Sequence, residues 1–455
     1  MFRSLFNWFK APPPVPRHSE DEIRRQYPLY RWRIFEASFI AYATFYIVRN
    51  NFSPVQMELG HAQGYDNIML GGILSATAIT YGIGKFVMGF FSDGSDPRKY
   101  LFVAMSLTAL INFAFGSATN YHTHLFLWAL NGFVQGMGYA PCTRGLAHWF
   151  SVKERGYIFG WWNISHNIGG AIAGVLAAWS AKNYQWPAAF YFPGVIAAFC
   201  AIYLFWRMRD TPQSVGLPSI EEFTNEYPPE ELVHRERELT MREILIGHIF
   251  TNKWLWLIAF ANFFVYIARY SMLDWGPTYL KEAKGATILK GGISTAIIEL
   301  SGAAGMLSMG WISDKVGGRR GFVSMISMIP LLAAFSGLIF GNEILTWTNS
   351  IFKTAHSAKT VLTFDLVMFG ILGFCVYVPV MMLGVMSLDL TSKKAVGTAA
   401  GFVGMFGYLG RVAQGMGIGW LAEYRSWNSA LYAIFAATAM AIFLLAFTWN
   451  LRPKG

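Results

Sequence analysis

Two arginines carry the most chemical information in this sequence. Arg49 closes the run Tyr46-Ile47-Val48-Arg49, and Arg269 closes Tyr266-Ile267-Ala268-Arg269. They stand 269 − 49 = 220 positions apart in a chain of 455, each inside or at the edge of a long apolar stretch. An arginine at membrane depth is costly and by default marks a functional site. Its guanidinium is always charged and presents a planar fork that matches phosphate oxygens. Two such residues in repeated contexts point to one shared site that grips an anion, phosphate above all.

Other polar residues inside apolar stretches are candidates for the same site. Lys85, in Thr80-Tyr81-Gly82-Ile83-Gly84-Lys85, either adds a third positive charge or snorkels to a membrane surface. His166 sits in Trp162-Asn163-Ile164-Ser165-His166-Asn167, with Asn163 one helical turn before it. Histidine titrates near neutrality and can donate to phosphate. Tyr42, Tyr46, Tyr81, Tyr266, Tyr377 and Tyr408 are either core aromatics or hydroxyl donors to a ligand. Glu299 and Asp274 are carboxylates able to pair with an arginine when the site is empty, Glu299 being the deeper in its segment. Arg411 interrupts the run Gly401, Gly404, Gly407, Gly410, where it either faces the cavity or pairs with a carboxylate.

The elements that position these residues are apolar helices. The chain is 54% hydrophobic, 17% aromatic and only 14% charged, where soluble proteins carry about a quarter charged residues. Apolar stretches of about 20 residues recur along it, each long enough to cross a bilayer as a helix. The ten-residue alternation of a membrane β-barrel is missing. The expected fold is therefore all-α and polytopic, with twelve transmembrane helices in two pseudo-symmetric six-helix bundles. The spans fall near 34–54, 69–92, 100–119, 122–149, 156–181 and 186–206, then 253–280, 288–313, 321–341, 361–388, 396–422 and 428–450. This divides the chain into an N-terminal segment (1–33), a first bundle (34–207), a linker (208–250) and a second bundle (251–451). Thr240-Met241-Arg242-Glu243 reads as a capping box for the helix that opens the second bundle.

The net charge of +10 is that of basic loops, with no need of nucleic acid. Arg98, Lys99, Lys153, Arg155, Lys315, Arg319, Arg320, Lys393 and Lys394 fall in loops on the same side as both termini. The positive-inside rule places that side, both termini and the linker in the cytoplasm. No cleavable signal pattern opens the chain. Phe2, Leu5, Phe6 and Phe9 have helical spacing, so this stretch either lies on the inner membrane surface or is a frayed end. Cys142, Cys200 and Cys375 are scattered in apolar segments, with neither disulfide nor metal spacing. No metal or cofactor is expected.

An internal repeat supports the two-bundle reading. Gly89-Phe90-Phe91-Ser92-Asp93 matches Gly310-Trp311-Ile312-Ser313-Asp314 at an offset of 314 − 93 = 221. Lys153-Glu154-Arg155-Gly156 parallels Lys394-Ala395-Val396-Gly397 at 397 − 156 = 241. The difference is accounted for by a polar insertion at 342–360, expected on the outer side, with Asn342, Glu343, Trp347, Asn349, Lys353 and His356. Glycine pairs such as Gly132 with Gly136 and Gly397 with Gly401 allow close helix contacts.

With these residues in view, the chain resembles the organophosphate:phosphate antiporters of the major facilitator superfamily, most of all their glycerol-3-phosphate branch. The specific stretches are Phe45-Tyr46-Ile47-Val48-Arg49-Asn50-Asn51-Phe52, Trp162-Asn163-Ile164-Ser165-His166-Asn167, Gln135-Gly136-Met137-Gly138, Asp210-Thr211-Pro212-Gln213-Ser214 and Leu273-Asp274-Trp275-Gly276-Pro277-Thr278-Tyr279. The resemblance implies a secondary transporter, not an enzyme. It would exchange an external organic phosphate for internal inorganic phosphate by alternating access. Glycerol 3-phosphate is the first expectation and a hexose 6-phosphate the next. The resemblance also implies that Arg49 and Arg269 bind phosphate, that His166 assists, and that Lys85 and the six tyrosines line the cavity. The expected setting is a bacterial inner membrane and the expected state a monomer. The alternative is a membrane sugar-phosphate sensor of the same fold that signals to a kinase. Three departures stand out. Asn50 replaces a lysine of the glycerol-3-phosphate branch. Ala400 and Val403 replace an aspartate and a lysine of the hexose-phosphate branch. Arg411 fits no member's pattern.

Overall fold

The structure is a computed structural model that describes residues 8–92, 95–225, 243–352, 358–391 and 396–451. Asp93, the Thr240–Arg242 part of the expected capping box, Lys353, His356 and Lys393–Ala395 lie outside the described residues. So do Phe2, Leu5 and Phe6 of the N-terminal stretch. Its last part is tied down: Phe9 packs edge-on against Tyr100, and its carbonyl accepts from the Asp96 amide.

Helices α1 (Glu20–Ile47), α2 (Gln56–Gln63), α3 (Asn67–Ser92), α4 (Pro97–Ser117), α5 (Tyr121–Gln135), α6 (Tyr139–Trp149), α7 (Val152–Tyr184) and α8 (Ala188–Arg207) come first. A short α9 (Ile220–Thr224) and a π-helical turn (Glu243–Phe250) follow. Then come α10 (Lys253–Glu282), α11 (Ile288–Lys315), α12 (Arg320–Ile339), α13 (Gly341–Phe352), α14 (Ala358–Asp389), α15 (Val396–Tyr424) and α16 (Trp427–Ala446). Ten of the twelve expected spans coincide with a helix; the first (34–54) runs past the end of α1 at Ile47, and the fourth is divided. That one is two helices, α5 and α6, interrupted at Gly136–Gly138. The polar insertion contains α13. The helix opening the second half starts at Lys253, where the Asn252 side chain accepts from the Trp254 and Leu255 amides.

Eight of the described helices are long and apolar enough to cross a membrane by composition alone. α1, α5, α7 and α15 are not among them. α5 is only 15 residues long, and α7 and α15 carry the polar residues His166 and Arg411 singled out above. Side chains such as Phe199 (70% exposed) and Ile202 (64%) on α8 stand outward with no protein cover, as a lipid-facing surface requires.

The chain divides into two compact units, residues 1–51 with 80–237, and 52–79 with 238–455. In the first, α1 packs on α7 and α4 on α8, around a core that includes Ile34, Phe45, Trp149 and Trp162. The start of the linker is folded here. Tyr27 stacks on Phe223 and donates to the Pro218 carbonyl, while Val15 and His18 bond the backbone of Gln213 and Gly216. In the second unit, α10 packs on α15, and α14 lies against both α11 and α12. Residues 52–79 join this unit through bonds to α10 and α15: Gln56 reaches the Asp274 carbonyl and Thr278, and Ser75 donates to the Val412 carbonyl.

Candidate functional site

In the first unit, the site begins where α1 stops. The helix ends at Ile47, a turn covers 48–52, and a 3-10 turn follows at Ser53–Val55. A helix end inside a membrane protein leaves carbonyls that need donors. Asparagines supply them: Asn112 and Asn131 both donate to the Val48 carbonyl, at 3.4 and 3.1 Å. Asn51 locks the turn by donating to Asn112 (3.0 Å) and to the Ala189 carbonyl (2.9 Å). Arg49, 7% exposed, is set in this turn. Its guanidinium carbon lies 3.9 Å from the Tyr46 ring centroid and 4.8 Å from that of Tyr81.

α7 brings His166 to the same place. Its ring centroid is 5.1 Å from that of Tyr46 and 6.4 Å from that of Tyr42. The approach depends on Gly169, where a Cβ would meet the Ala43 carbonyl oxygen at 2.1 Å. Trp162 donates to the Ser38 carbonyl and stacks on Tyr42, fixing α7 against α1. The backbone carbonyl of Asn163 accepts a hydrogen bond from His166 Nδ1. The remaining ring nitrogen, Nε2, therefore donates to an anion only in the doubly protonated imidazolium. Lys85 is exposed, and its ammonium sits 4.6 Å from the Tyr139 ring, which touches Tyr42 edge-on.

In the second unit, Arg269 lies within the unbroken helix α10, 5% exposed. Its guanidinium carbon is 4.2 Å from the Tyr377 ring and 4.9 Å from that of Tyr270. Tyr377 donates its hydroxyl to Glu299, which is fully buried. Tyr266 touches Tyr270 and, across on α15, Tyr408. The two helices meet closely here: a Cβ on Gly410 would sit 2.2 Å from the Phe263 carbonyl oxygen.

Arg411 pairs with Asp274, Nε to Oδ2, at 3.6 Å, and lies 4.0 Å from the Tyr270 ring. The Asp274 carboxylate also accepts from Gln414 (2.9 Å) and Ser53 (3.4 Å).

The candidates thus gather in two groups. Tyr42, Tyr46, Arg49, Tyr81, Lys85, Asn163 and His166 belong to the first unit, and Tyr266, Arg269, Glu299, Tyr377 and Tyr408 to the second. Tyr139, Trp162, Tyr270, Gln414, Asn112 and Asn131 were not singled out from sequence. Only Tyr270, next to Arg269, carried a visible signal. An apolar recess of about 790 Å³ in the second unit, lined by Ile297, Ile326, Val367 and Phe374 among others, has no charged wall and offers an anion nothing. Among the described residues no three His, Cys, Asp or Glu side chains gather as metal ligands.

A family model described as Major Facilitator Superfamily matches residues 38–415. The chain belongs to this superfamily. It is 38% identical to a glycerol-3-phosphate transporter of Bacillus subtilis (strain 168), over 98% of each chain. It is 36% identical to a probable hexose phosphate transport protein of Chlamydia trachomatis, over 97% of this chain and 96% of that one. It is 32% identical to the membrane sensor protein UhpC of Escherichia coli (strain K12), over 99% and 100%. Among solved structures, a bacterial homolog of the human lysosomal transporter Spinster superposes with a TM-score of 0.69 at 15% identity, over 92% of this chain and 97% of that one. The major facilitator fold and the carrier, non-enzyme class of the chain follow from these matches.

The superfamily member described here carries in each unit one buried arginine held between two tyrosine rings. A cation over an aromatic face is stabilised without being neutralised.

Proposed function

We propose that this protein exchanges an external organic phosphate for internal inorganic phosphate by alternating access, with Arg49 and Arg269 together gripping the phosphate. The observation that carries the reading is the matched pair of buried, tyrosine-flanked guanidiniums. Glycerol 3-phosphate is the favoured organic substrate and a hexose 6-phosphate the next, in keeping with the names of the relatives. His166, as imidazolium, adds a donor. Lys85 and Asn163 contribute polar contacts, and Tyr42, Tyr46, Tyr81, Tyr266, Tyr377 and Tyr408 line the path. Glu299 holds Tyr377. The chain acts as a monomer with two six-helix halves in a bacterial inner membrane, both termini cytoplasmic. An empty, positively charged site resists reorientation because its charge would have to pass through an occluded state. A bound phosphate removes that obstacle, so the two substrates are tied to strict exchange.

The test is phosphate exchange in proteoliposomes. Arg49→Lys and Arg269→Lys keep the charge but lose the fork. Each is expected to abolish most exchange while inserting normally; wild-type rates in either would refute the grip. A second reading, a sugar-phosphate sensor signalling to a kinase, is favoured by the likeness to the sensor protein. Counterflow of labelled phosphate separates the two, since a sensor binds phosphate without appreciable turnover.

A further inference from the structure

The end of α8 is crowded with positive charge. Arg33 of α1 donates to the carbonyls of Trp206 (2.7 Å) and Arg207 (2.9 Å). Arg209 donates to the same Trp206 carbonyl (3.0 Å) and to that of Met208 (2.6 Å). Carbonyls at a helix C-terminus attract cations, and one arginine there is an ordinary cap. Two on one oxygen are more than a cap needs. Their bonding nitrogens are at most 2.7 + 3.0 = 5.7 Å apart, so the two guanidiniums repel at close range. Burial, and then the positive charges of Arg33 and Arg98, hold the Arg209 guanidinium below its ordinary range. The nearby carboxylates have other partners. Glu36 accepts from Arg207 (2.7 Å) and Tyr203 (2.8 Å), Asp210 pairs with Arg144, and Asp96 stands 3.5 Å from Arg98. Among the described residues, Arg33 and Arg209 hydrogen-bond backbone carbonyls and no carboxylate.

The same corner borders the lipid. Phe199, Ile202 and Trp206 recur at helical spacing on α8 and are all exposed, Trp206 to 68%. This stripe ends at the guanidiniums: Arg33 lies 6.0 Å from the Trp206 ring and Arg98 5.1 Å from that of Phe205. Tryptophan in such a place sits at headgroup level.

We propose that Arg33 and Arg209, with Arg98 beside them, bind the phosphodiester of an anionic membrane phospholipid whose acyl chains run along the exposed stripe of α8. A phosphodiester has two non-bridging oxygens, one for each guanidinium, and its charge offsets their repulsion. Basic pockets at helix ends hold lipid headgroups in this way. A free phosphate offers the same oxygens but no chains to cover the stripe. Arg33 stands 47 − 33 = 14 residues before the end of α1, about 21 Å along it, so this site is separate from Arg49.

The test adds phosphatidylglycerol or phosphatidylcholine to the full-length protein in detergent micelles, with inorganic phosphate saturating throughout, and reads the unfolding temperature. Phosphatidylglycerol is expected to raise it by several degrees more than phosphatidylcholine. Arg33→Gln with Arg209→Gln is expected to lose that difference, whatever its own stability. Arg24→Gln with Arg25→Gln, which removes the same charge from exposed positions of α1, is expected to keep it. Equal shifts from the two lipids overturn the proposal, since the site then takes the free ion or ignores headgroup charge. An undiminished difference in the Arg33 and Arg209 variant overturns it, and so does an equal loss in the Arg24 and Arg25 variant. Should the first variant fail to fold, Trp206→Phe, with every arginine in place, decides. Phosphatidylglycerol brominated on its acyl chains is expected to quench wild-type tryptophan fluorescence more than brominated phosphatidylcholine, and that excess to shrink in Trp206→Phe. An unchanged excess overturns the proposal.

Discussion

Arg49 and Arg269 occupy equivalent places in the repeat, but their surroundings differ. Arg49 lies over Tyr46, three residues earlier, and over Tyr81 of α3. Arg269 lies over its neighbour Tyr270 and over Tyr377 of α14. The Tyr46 ring meets the Arg49 guanidinium with its face. Tyr46→Phe should keep phosphate half-saturation within a few-fold of wild type. Tyr46→Leu should raise it by about tenfold or more, on the scale of about 2 kcal/mol for a desolvated cation–π contact. Equal effects of the two substitutions in exchange assays would show that the face is not what matters. Tyr377 is different, because its hydroxyl also serves Glu299. Leaving a buried carboxylate without that donor is costly, so Tyr377→Phe should impair binding where Tyr46→Phe does not.

At the scale of helices, contact is set by glycine. At Gly169 and Gly410, a Cβ would lie 2.1 and 2.2 Å from a carbonyl oxygen of the facing helix, and backbone does not yield as a side chain would. Gly169→Val is therefore expected to part α1 from α7, lowering the unfolding temperature in detergent by several degrees and pulling His166 away from Tyr46. The asparagine tie is the other constraint. Asn112→Leu removes a donor from the Val48 carbonyl and the acceptor of Asn51, so it should destabilise the protein by about 1–3 kcal/mol. Such ties explain what sequence could and could not disclose. The burial of the two arginines and of His166, and the helical course of most spans, were legible because intramembrane charge and apolar length are properties of one stretch at a time. The break after Ile47 was not, since Tyr46-Ile47-Val48-Arg49 and Tyr266-Ile267-Ala268-Arg269 look alike, yet only the second runs through an unbroken helix. Asn112, Asn131 and Gln414 gain meaning only from the helix they face, and a single sequence does not reveal how helices are rotated against one another. Arg411 was visible as an intruder among glycines, but its partner Asp274 lies 137 positions earlier (411 − 274) on α10.

For the molecule as a whole, the proposed cycle predicts a strict stoichiometry: proteoliposomes without internal phosphate or phosphate ester should take up no organic phosphate, and net uptake would contradict the exchange reading. Integrity of the first unit also has a pH signature. Asp210, outside the spans, pairs with Arg144 at 3.2 Å, and Arg144 bonds the carbonyls of Ser92 and Ser95. Burial pushes the Asp210 carboxyl up to about 6 from 3.8, against the pull of Arg144 and with a push from Asp96. The folded state then holds this proton where the unfolded chain has lost it, so stability from this group falls as pH rises from about 4 to about 6 and is level above. Unfolding temperatures of Asp210→Asn and wild type should diverge across that window, the wild type losing ground; parallel curves would refute it.

The interruption after Ile47 has a consequence for how a ligand is sensed. The backbone that carries Arg49 is a short turn held by asparagine side chains, which an anion on the guanidinium can tighten, whereas the backbone that carries Arg269 is already fixed within thirty residues of continuous helix. Deuterium uptake at amides 48–56 should therefore slow on phosphate addition, while amides around Arg269 remain equally protected in both conditions. The duplicated arginines would then play unequal parts, one a fixed anchor and the other a finger that closes.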